Sequence, residues 1–275
     1  MSMQTKTTGI DDLTIRYAIS QKDHQETLLL LQPMPESIYC YTPMWDQLAA
    51  NFNLLAIDMP GFGGSEARSG LYSVDAMSHF IPEAIEHFEL GPVHILGPDI
   101  GAPIALFAAA RYPASIRSLI VGGGASVYPL EVDNVLRDVI NAPDLEGFKK
   151  IPVKDIIDSS LSEFKNYALP AEIRADYIAC YEGGRLFDAM QILRAYTTDI
   201  PQLDKLIDKI RTPVQIIWGD KDPIALVKTA YILHDRLPKN NMHIIGGGGH
   251  YLWEEHAAEY SAVIIDWITR GYKKQ

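Results

Sequence analysis

Cysteine is scarce in this chain. The only two, Cys40 and Cys180, lie far apart in 275 residues. A disulfide framework is therefore not indicated, and no C-x-x-C pair is present to hold zinc. Both thiols are expected to be buried, and neither metal nor cofactor is expected. Long apolar runs are missing too. No stretch approaches the ~18 residues needed to span a bilayer. The first dozen residues are polar and lack the apolar core of a signal peptide. The expectation is a soluble cytoplasmic protein, held in a reducing compartment and not attached to membrane. Basic residues are also few: 24 Lys and Arg against 35 Asp and Glu give a net charge of −11. Nucleic-acid binding needs clustered cations to neutralise phosphates and is not expected. An acidic excess of this kind keeps a protein soluble. Oligomeric state leaves no signature.

What is present is a large apolar fraction, 47% of residues, in a chain long enough for one α/β domain carrying an insertion. Short runs rich in Leu, Ile and Val read as strands: Ile15–Ala18, Thr27–Leu31, Leu54–Ile57, Val93–Leu96, Leu119–Val121, Val214–Trp218 and His243–Ile245. Nearly continuous apolar runs suit a parallel sheet covered on both faces. Helical patterns alternate with them at Trp45–Ala50, Val74–Phe88, Ala102–Arg111, Ile224–Leu237 and Ala257–Arg270. The expected fold is a mostly parallel, doubly wound sheet with right-handed crossovers. From about Ser126 to Lys209 only helical patterns occur: Glu131–Ile140, Lys154–Lys165, Ala171–Tyr181, Leu186–Tyr196 and Gln202–Lys209, punctuated by Pro143, Pro152, Pro170 and Pro201. Residues 126–209 are read as a helical cap inserted into a core made of 1–125 and 210–275. In open α/β sheets ligands bind beyond the carboxyl ends of the strands, the edge that such a cap could cover.

Three strand ends carry candidate chemistry. Gly97-Pro98-Asp99-Ile100-Gly101 has the G-x-nucleophile-x-G spacing of a sharp strand-to-helix turn, with Asp99 at its apex. Taken alone, Asp99 is equally well a helix N-cap. Gly219-Asp220-Lys221-Asp222-Pro223 follows the 214–218 strand, and four glycines lead into His250 after the last strand. Asp222 alone could open a turn, and His250 alone could be an ordinary loop histidine. Asp220 and His256 are the rival assignments. The order Asp99, Asp222, His250, each after a strand, favours a nucleophile, an acid and a base.

On these motifs the sequence resembles the α/β-hydrolase superfamily over nearly its full length. Asp58-Met59-Pro60-Gly61-Phe62-Gly63-Gly64-Ser65 is similar to that family's D-x-P-G-x-G-x-S loop. The resemblance places the acid at Asp222 rather than Asp220. Many hydrolases carry serine at the elbow. Aspartate at that place resembles the branch of epoxide hydrolases and dehalogenases. The family's H-G-x-P loop corresponds to Gln32-Pro33-Met34-Pro35 here, without its His and Gly. The resemblance implies an oxyanion hole from the N–H groups of Met34 and Ile100, although a merely rigid turn is the alternative. X–Pro is also where a tight functional turn would accept a cis peptide, so Met34–Pro35 is a candidate.

The branches can be compared residue by residue. Haloalkane dehalogenases cradle the halide with a Trp after the nucleophile and often an Asn at the x position. This chain has Ile100 and Met34 there. Fluoroacetate-type enzymes place arginines just after the nucleophile, whereas Arg111 is too far along the helix. Epoxide hydrolases use cap tyrosines as acids. Leu193-Arg194-Ala195 resembles their Y-R-A element with Leu in the tyrosine's place, leaving Tyr128 and Tyr196 as candidate substrate-binding groups. The expected function is hydrolysis of a small organic substrate by water through an alkyl ester on Asp99, with epoxide opening preferred to dehalogenation. A non-hydrolytic enzyme using His250 as base, and a ligand-binding scaffold, are the alternatives.

Overall fold

The computed structural model describes residues 3–22 and 24–272, so Met1 and Ser2 of the polar N-terminal stretch lie outside the described residues. Eight strands form one sheet: β1 (Thr5–Ile10), β2 (Leu13–Ser20), β3 (Thr27–Leu31), β4 (Asn53–Ile57), β5 (Val93–Pro98), β6 (Ile116–Gly122), β7 (Val214–Gly219) and β8 (Asn240–Ile245). Their order is β1-β2-β4-β3-β5-β6-β7-β8. Antiparallel pairing joins β1 to β2 and β2 to β4, and every pairing from β4 to β8 is parallel. All seven predicted strands are present. The one missed, β1, is the polar sequence Thr-Lys-Thr-Thr-Gly-Ile at the sheet's edge. An edge strand with one face in water needs no apolar run, so the sequence offers little signal.

Twelve helices accompany the sheet among the described residues: α1 (Thr42–Ala49), α2 (Val74–Met77), α3 (Phe80–His87), α4 (Gly101–Arg111), α5 (Asn134–Asn141), α6 (Val153–Leu161), α7 (Ala171–Tyr181), α8 (Arg185–Ala189), α9 (Gln191–Asp204), α10 (Lys228–Arg236), α11 (Leu252–Glu255) and α12 (Ala257–Thr269). The helix expected over Val74–Phe88 is broken at Ser78-His79, where the Ser78 hydroxyl turns back onto the Asp75 carbonyl. The one expected from Ile224 starts only at Lys228. Residues 224 and 225 are instead held by the Asp222 carboxylate, which accepts their N–H groups at 2.9 and 3.0 Å. Between β6 and β7 only helices occur, α5 to α9. There the expected break at Pro201 is absent, and Pro201 lies inside α9. Proline costs that helix one hydrogen bond. Burial of Ile192, Tyr196, Ile200 and Leu203, with packing on α2, α4 and α5, outweighs the loss.

Strand β5 is buried along its whole length, between β3 and β6. The Asp99 N–H extends this ladder by donating to Gly122 at 2.9 Å, after which the chain turns into α4. Gly101 to Ala109 of α4 are all buried. Small residues are what let so apolar a helix lie this close to the sheet. Gly97 shows the constraint most directly, because a Cβ there would collide with the backbone carbonyl of Gly101. Gly97→Ala is therefore expected to destabilise the fold by about 1–3 kcal/mol, the usual cost of overpacking. Gly70→Ala, with nothing within 4 Å of the new methyl, should stay within about 0.5 kcal/mol of the parent. Urea denaturation of the two variants measures the difference.

Candidate active site

Asp99 sits at φ +50°, in the left-handed region that ordinary side chains avoid. This aims its carboxylate away from the helix that follows. Oδ2 accepts the Met34 N–H at 2.8 Å, and the Ile100 N–H also donates to the carboxylate. Asp99 is thus not the helix cap: the residue entering α4 is Ile100, and no side chain caps that terminus. The Met34–Pro35 bond is cis.

His250 lies five residues beyond β8. Its Nε2 is 3.8 Å from Asp99 Oδ1, and its Nδ1 is 3.0 Å from Asp222 Oδ2. Asp222 in turn accepts the Ile224 and Ala225 N–H groups. All three side chains are buried, and the parallel strands β5, β7 and β8 deliver them to one edge of the sheet. The rivals are accounted for. Asp220 Oδ1 accepts the Gly247 N–H at 2.7 Å, tying two loops together at the surface. His256 lies at the start of α12, and its Nε2 is buried without a partner among the described residues.

The electrostatics alternate in sign. Burial raises the Asp99 carboxyl above its ordinary range, while the charge of His250 and the two N–H donors pull it back. For His250, burial opposes the charged form. The Asp222 carboxylate, with help from Asp99 and Glu36, overcomes this and pushes the imidazole up to about 9.

Tyr196 of α9 is buried and near enough to Asp99 to feel its charge. Burial first, then Asp99 and Asp199, push its phenol up. Tyr128 is not brought into this buried group. It is 56% exposed, because its backbone N–H is drawn to Asp204 at the surface. Arg194, of the Y-R-A-like segment, donates to the Ala142 and Pro143 carbonyls and so pins the turn after α5. Arg111 bonds Ser78 and Asp75, away from the carboxylate. A groove of about 610 Å³ lined by Tyr72, Asp188, Gln191 and Arg194 shares no residue with Asp99, Asp222 or His250.

Trp253, directly after the His250 turn, is legible from sequence as a residue that could border the site, whereas Tyr251 and Arg16 gave no usable sequence signal. Tyr251 and Trp253 stand edge-on to the His250 ring at 5.0 and 5.7 Å. Arg16 joins Asp58 of the D-x-P-G loop to Asp176 of α7, and Ser37 donates to the same Asp176 at 2.6 Å. Arg16 could not have been found from sequence, since its partners come from segments 42 and 160 residues away. Among the described residues no helix is long and apolar enough to cross a membrane, and no group of three or more His, Cys, Asp or Glu could hold a metal ion.

A sheet of this topology, with an acidic apex after β5 and a histidine after β8, defines an α/β-hydrolase fold. The family model described as alpha/beta hydrolase fold matches residues 26–143. The chain is similar to a 2-hydroxy-6-oxononadienedioate/2-hydroxy-6-oxononatrienedioate hydrolase of Burkholderia vietnamiensis, 23% identical over 80% of this chain and 78% of the relative. It is also similar to the monoacylglycerol lipase ABHD6 of Bos taurus, 22% identical over 98% of this chain and 83% of the relative. Among solved structures, epoxide hydrolase VrEH1 from Vigna radiata superposes with a TM-score of 0.80 at 18% identity, covering 98% of both chains. These relatives carry different activities, so the reaction has to be argued from the site.

The raised pKa of His250 has a consequence for stability. The folded protein binds this proton more tightly than the unfolded chain, where histidine titrates near 6.5. The stabilisation is fully present below about 6.5 and is lost as pH rises through about 9. Melting temperature should therefore fall over that window, and fall less in His250→Ala. Equal slopes in the two proteins would contradict the assignment.

Proposed function

We propose that the protein is a hydrolase working through an alkyl ester on Asp99, with epoxides as the favoured substrates. One observation carries the reading: the Asp99 carboxylate rests one oxygen on the Met34 N–H and turns the other toward His250 Nε2, at 2.8 and 3.8 Å. A carboxylate held this way is suited to attack an electrophilic sp³ carbon.

In the first step an Asp99 oxygen bonds to a ring carbon and that carbon's bond to the ring oxygen breaks. The ring oxygen takes a proton from the Tyr196 phenol. In the second step water attacks the Asp99 carboxyl carbon and gives one proton to His250, which Asp222 orients. The oxyanion forms on Asp99 itself, between the N–H groups of Met34 and Ile100. Collapse breaks the bond from the carboxyl carbon to the alkyl oxygen, and His250 returns its proton to the departing alcohol. The second proton of the water leaves the regenerated carboxyl group and restores Tyr196 through solvent. The sum is epoxide plus water to diol.

Charge supports this sequence. The Asp99 charge is one of the forces holding His250 protonated. Esterification removes that charge, so the imidazolium gives its proton to solvent and becomes a competent base at the step that needs one, and it takes a proton back from solvent once the Asp99 carboxylate is regenerated. The side chains of Ile100 and Met34 offer no donor to a leaving halide, and a buried phenol near Asp99 suits a ring oxygen better. The helices between β6 and β7 are read as the cap that closes over the substrate.

The test is intact-protein mass spectrometry of His250→Ala after incubation with small epoxides such as styrene oxide. An adduct of the substrate's mass on the peptide containing Asp99 is expected, with none in Asp99→Ala. Turnover in Asp99→Ala should drop by on the order of 10³-fold or more. Retention of turnover there would instead identify a non-covalent reaction with His250 as base.

A further inference from the structure

Two glutamates occupy positions where apolar side chains are the rule. Glu36 follows the Met34–Pro35 turn and is fully buried, and Glu254, four residues beyond His250, is 3% exposed. Glu36 Oε1 accepts the Trp253 indole N–H at 3.0 Å. Glu254 Oε1 accepts the Tyr177 hydroxyl at 3.2 Å. The second oxygens, Glu36 Oε2 and Glu254 Oε2, are both buried and have no donor among the described residues. The two carboxyl groups are near neighbours, each acting on the other's titration, and Trp253 on one and Tyr177 on the other belong to the same buried cluster. An unpaired buried carboxylate oxygen is costly, and two adjacent buried anions are more so. A single proton between the two groups supplies a donor where the described residues hold none, one acid donating to the other carboxylate.

We propose that Glu36 and Glu254 share one proton and act as a positioning pair, fixing the Met34 loop against the His250 turn and helix α7. The connections converge on the site. Met34, two residues before Glu36, holds Asp99. Trp253, which donates to Glu36, stands against His250. From α7, Tyr177 reaches Glu254 and Tyr181 donates to the Glu36 carbonyl at 3.1 Å.

The surroundings favour a proton over any other counter-charge. Facing the pair are Cys40, Tyr41, Tyr167, Tyr177 and Tyr251, each kept neutral because burial raises its pKa. The charged groups in reach are Asp99, Glu255 and His250. His250, the one cation of this set, is already engaged by Asp222 and Asp99. Burial first, then the neighbouring carboxylate, pushes Glu36 well above the ordinary carboxyl range, while burial brings Glu254 to about 7. Loss of the last proton at alkaline pH would set two anions in contact and part the loops that they join.

The influence on turnover rests on the proposed roles of Asp99 and His250, but the shared proton does not, so the test has two arms. Infrared difference spectra of the full-length protein just above neutral pH should show one protonated-carboxyl band, absent from both Glu36→Gln and Glu254→Gln. In either variant the amide N–H replaces the proton and the remaining glutamate ionises. A band that survives Glu254→Gln would mean that Glu36 is neutral by burial alone, and would overturn the proposal. In the second arm, with styrene oxide as probe, Glu36→Ala should lower kcat/KM by up to about 10²-fold. Glu36→Gln should recover much of that loss and remove an alkaline fall in kcat/KM seen in the parent. Loss in both variants with the alkaline limb unmoved would reduce the pair to packing. If no variant or parent turns the probe over, the infrared arm still decides the proton.

Discussion

A buried negative charge at Asp99 is the constraint around which the rest of the site is arranged. An isolated carboxylate in an apolar interior would simply take up a proton. Here two backbone N–H groups and the charged ring of His250 hold it. His250 needs the same support, because burial alone would neutralise it. Asp222 supplies that support and is itself held by the N–H groups of Ile224 and Ala225. The alternation of anion, cation and anion ends on backbone dipoles that cannot move without unfolding the loop. This explains why the left-handed turn at Asp99 is tolerated: the surrounding hydrogen bonds over-determine it.

The same constraint distinguishes an aspartate elbow from a serine one. A serine nucleophile is neutral until a base takes its proton. Asp99 needs no base for attack, only for the second half of the proposed cycle. Protonated His250 therefore suits the resting state, since it keeps Asp99 ionised. In the proposed cycle the base is released more readily once the Asp99 charge, which adds to that of Asp222 in retaining its proton, is consumed in the ester.

Much of this was legible in the sequence, for definite reasons. Strands buried on both faces must be apolar, so β3 to β7 announce themselves, and the turns at strand ends carry the polar residues of the candidate site. Asp99, Asp222 and His250 were found because each is a charged or titratable residue at the end of an apolar run. The resting place of Tyr128 at the surface was not legible, since an aromatic outside a periodic element has no preferred side. Nor was the continuation of α9 through Pro201, where packing outweighs a local rule. Arg16 and the Glu36–Glu254 pair were invisible for a different reason. Their partners lie 42 to 218 positions away along the chain, and nothing local marks them.

These long-range polar contacts share a location. Arg16, Asp58, Ser37 and Asp176 form one cluster, and Glu36, Glu254 and Tyr177 form another, both where α7 meets the loops below it. An apolar interface of the same size would hold α7 as firmly, because burial is non-directional. It would also let the helix slide or rotate at little cost. Hydrogen bonds between buried groups fail over fractions of an ångström, so they trade tolerance for a fixed register. The register in question is that of Met34 and His250 relative to the helices above them. A site that must exclude water while keeping a carboxylate charged has a narrow range of workable spacings. In this fold that range is set by polar contacts that reach the site from the helices and are absent from its own three residues.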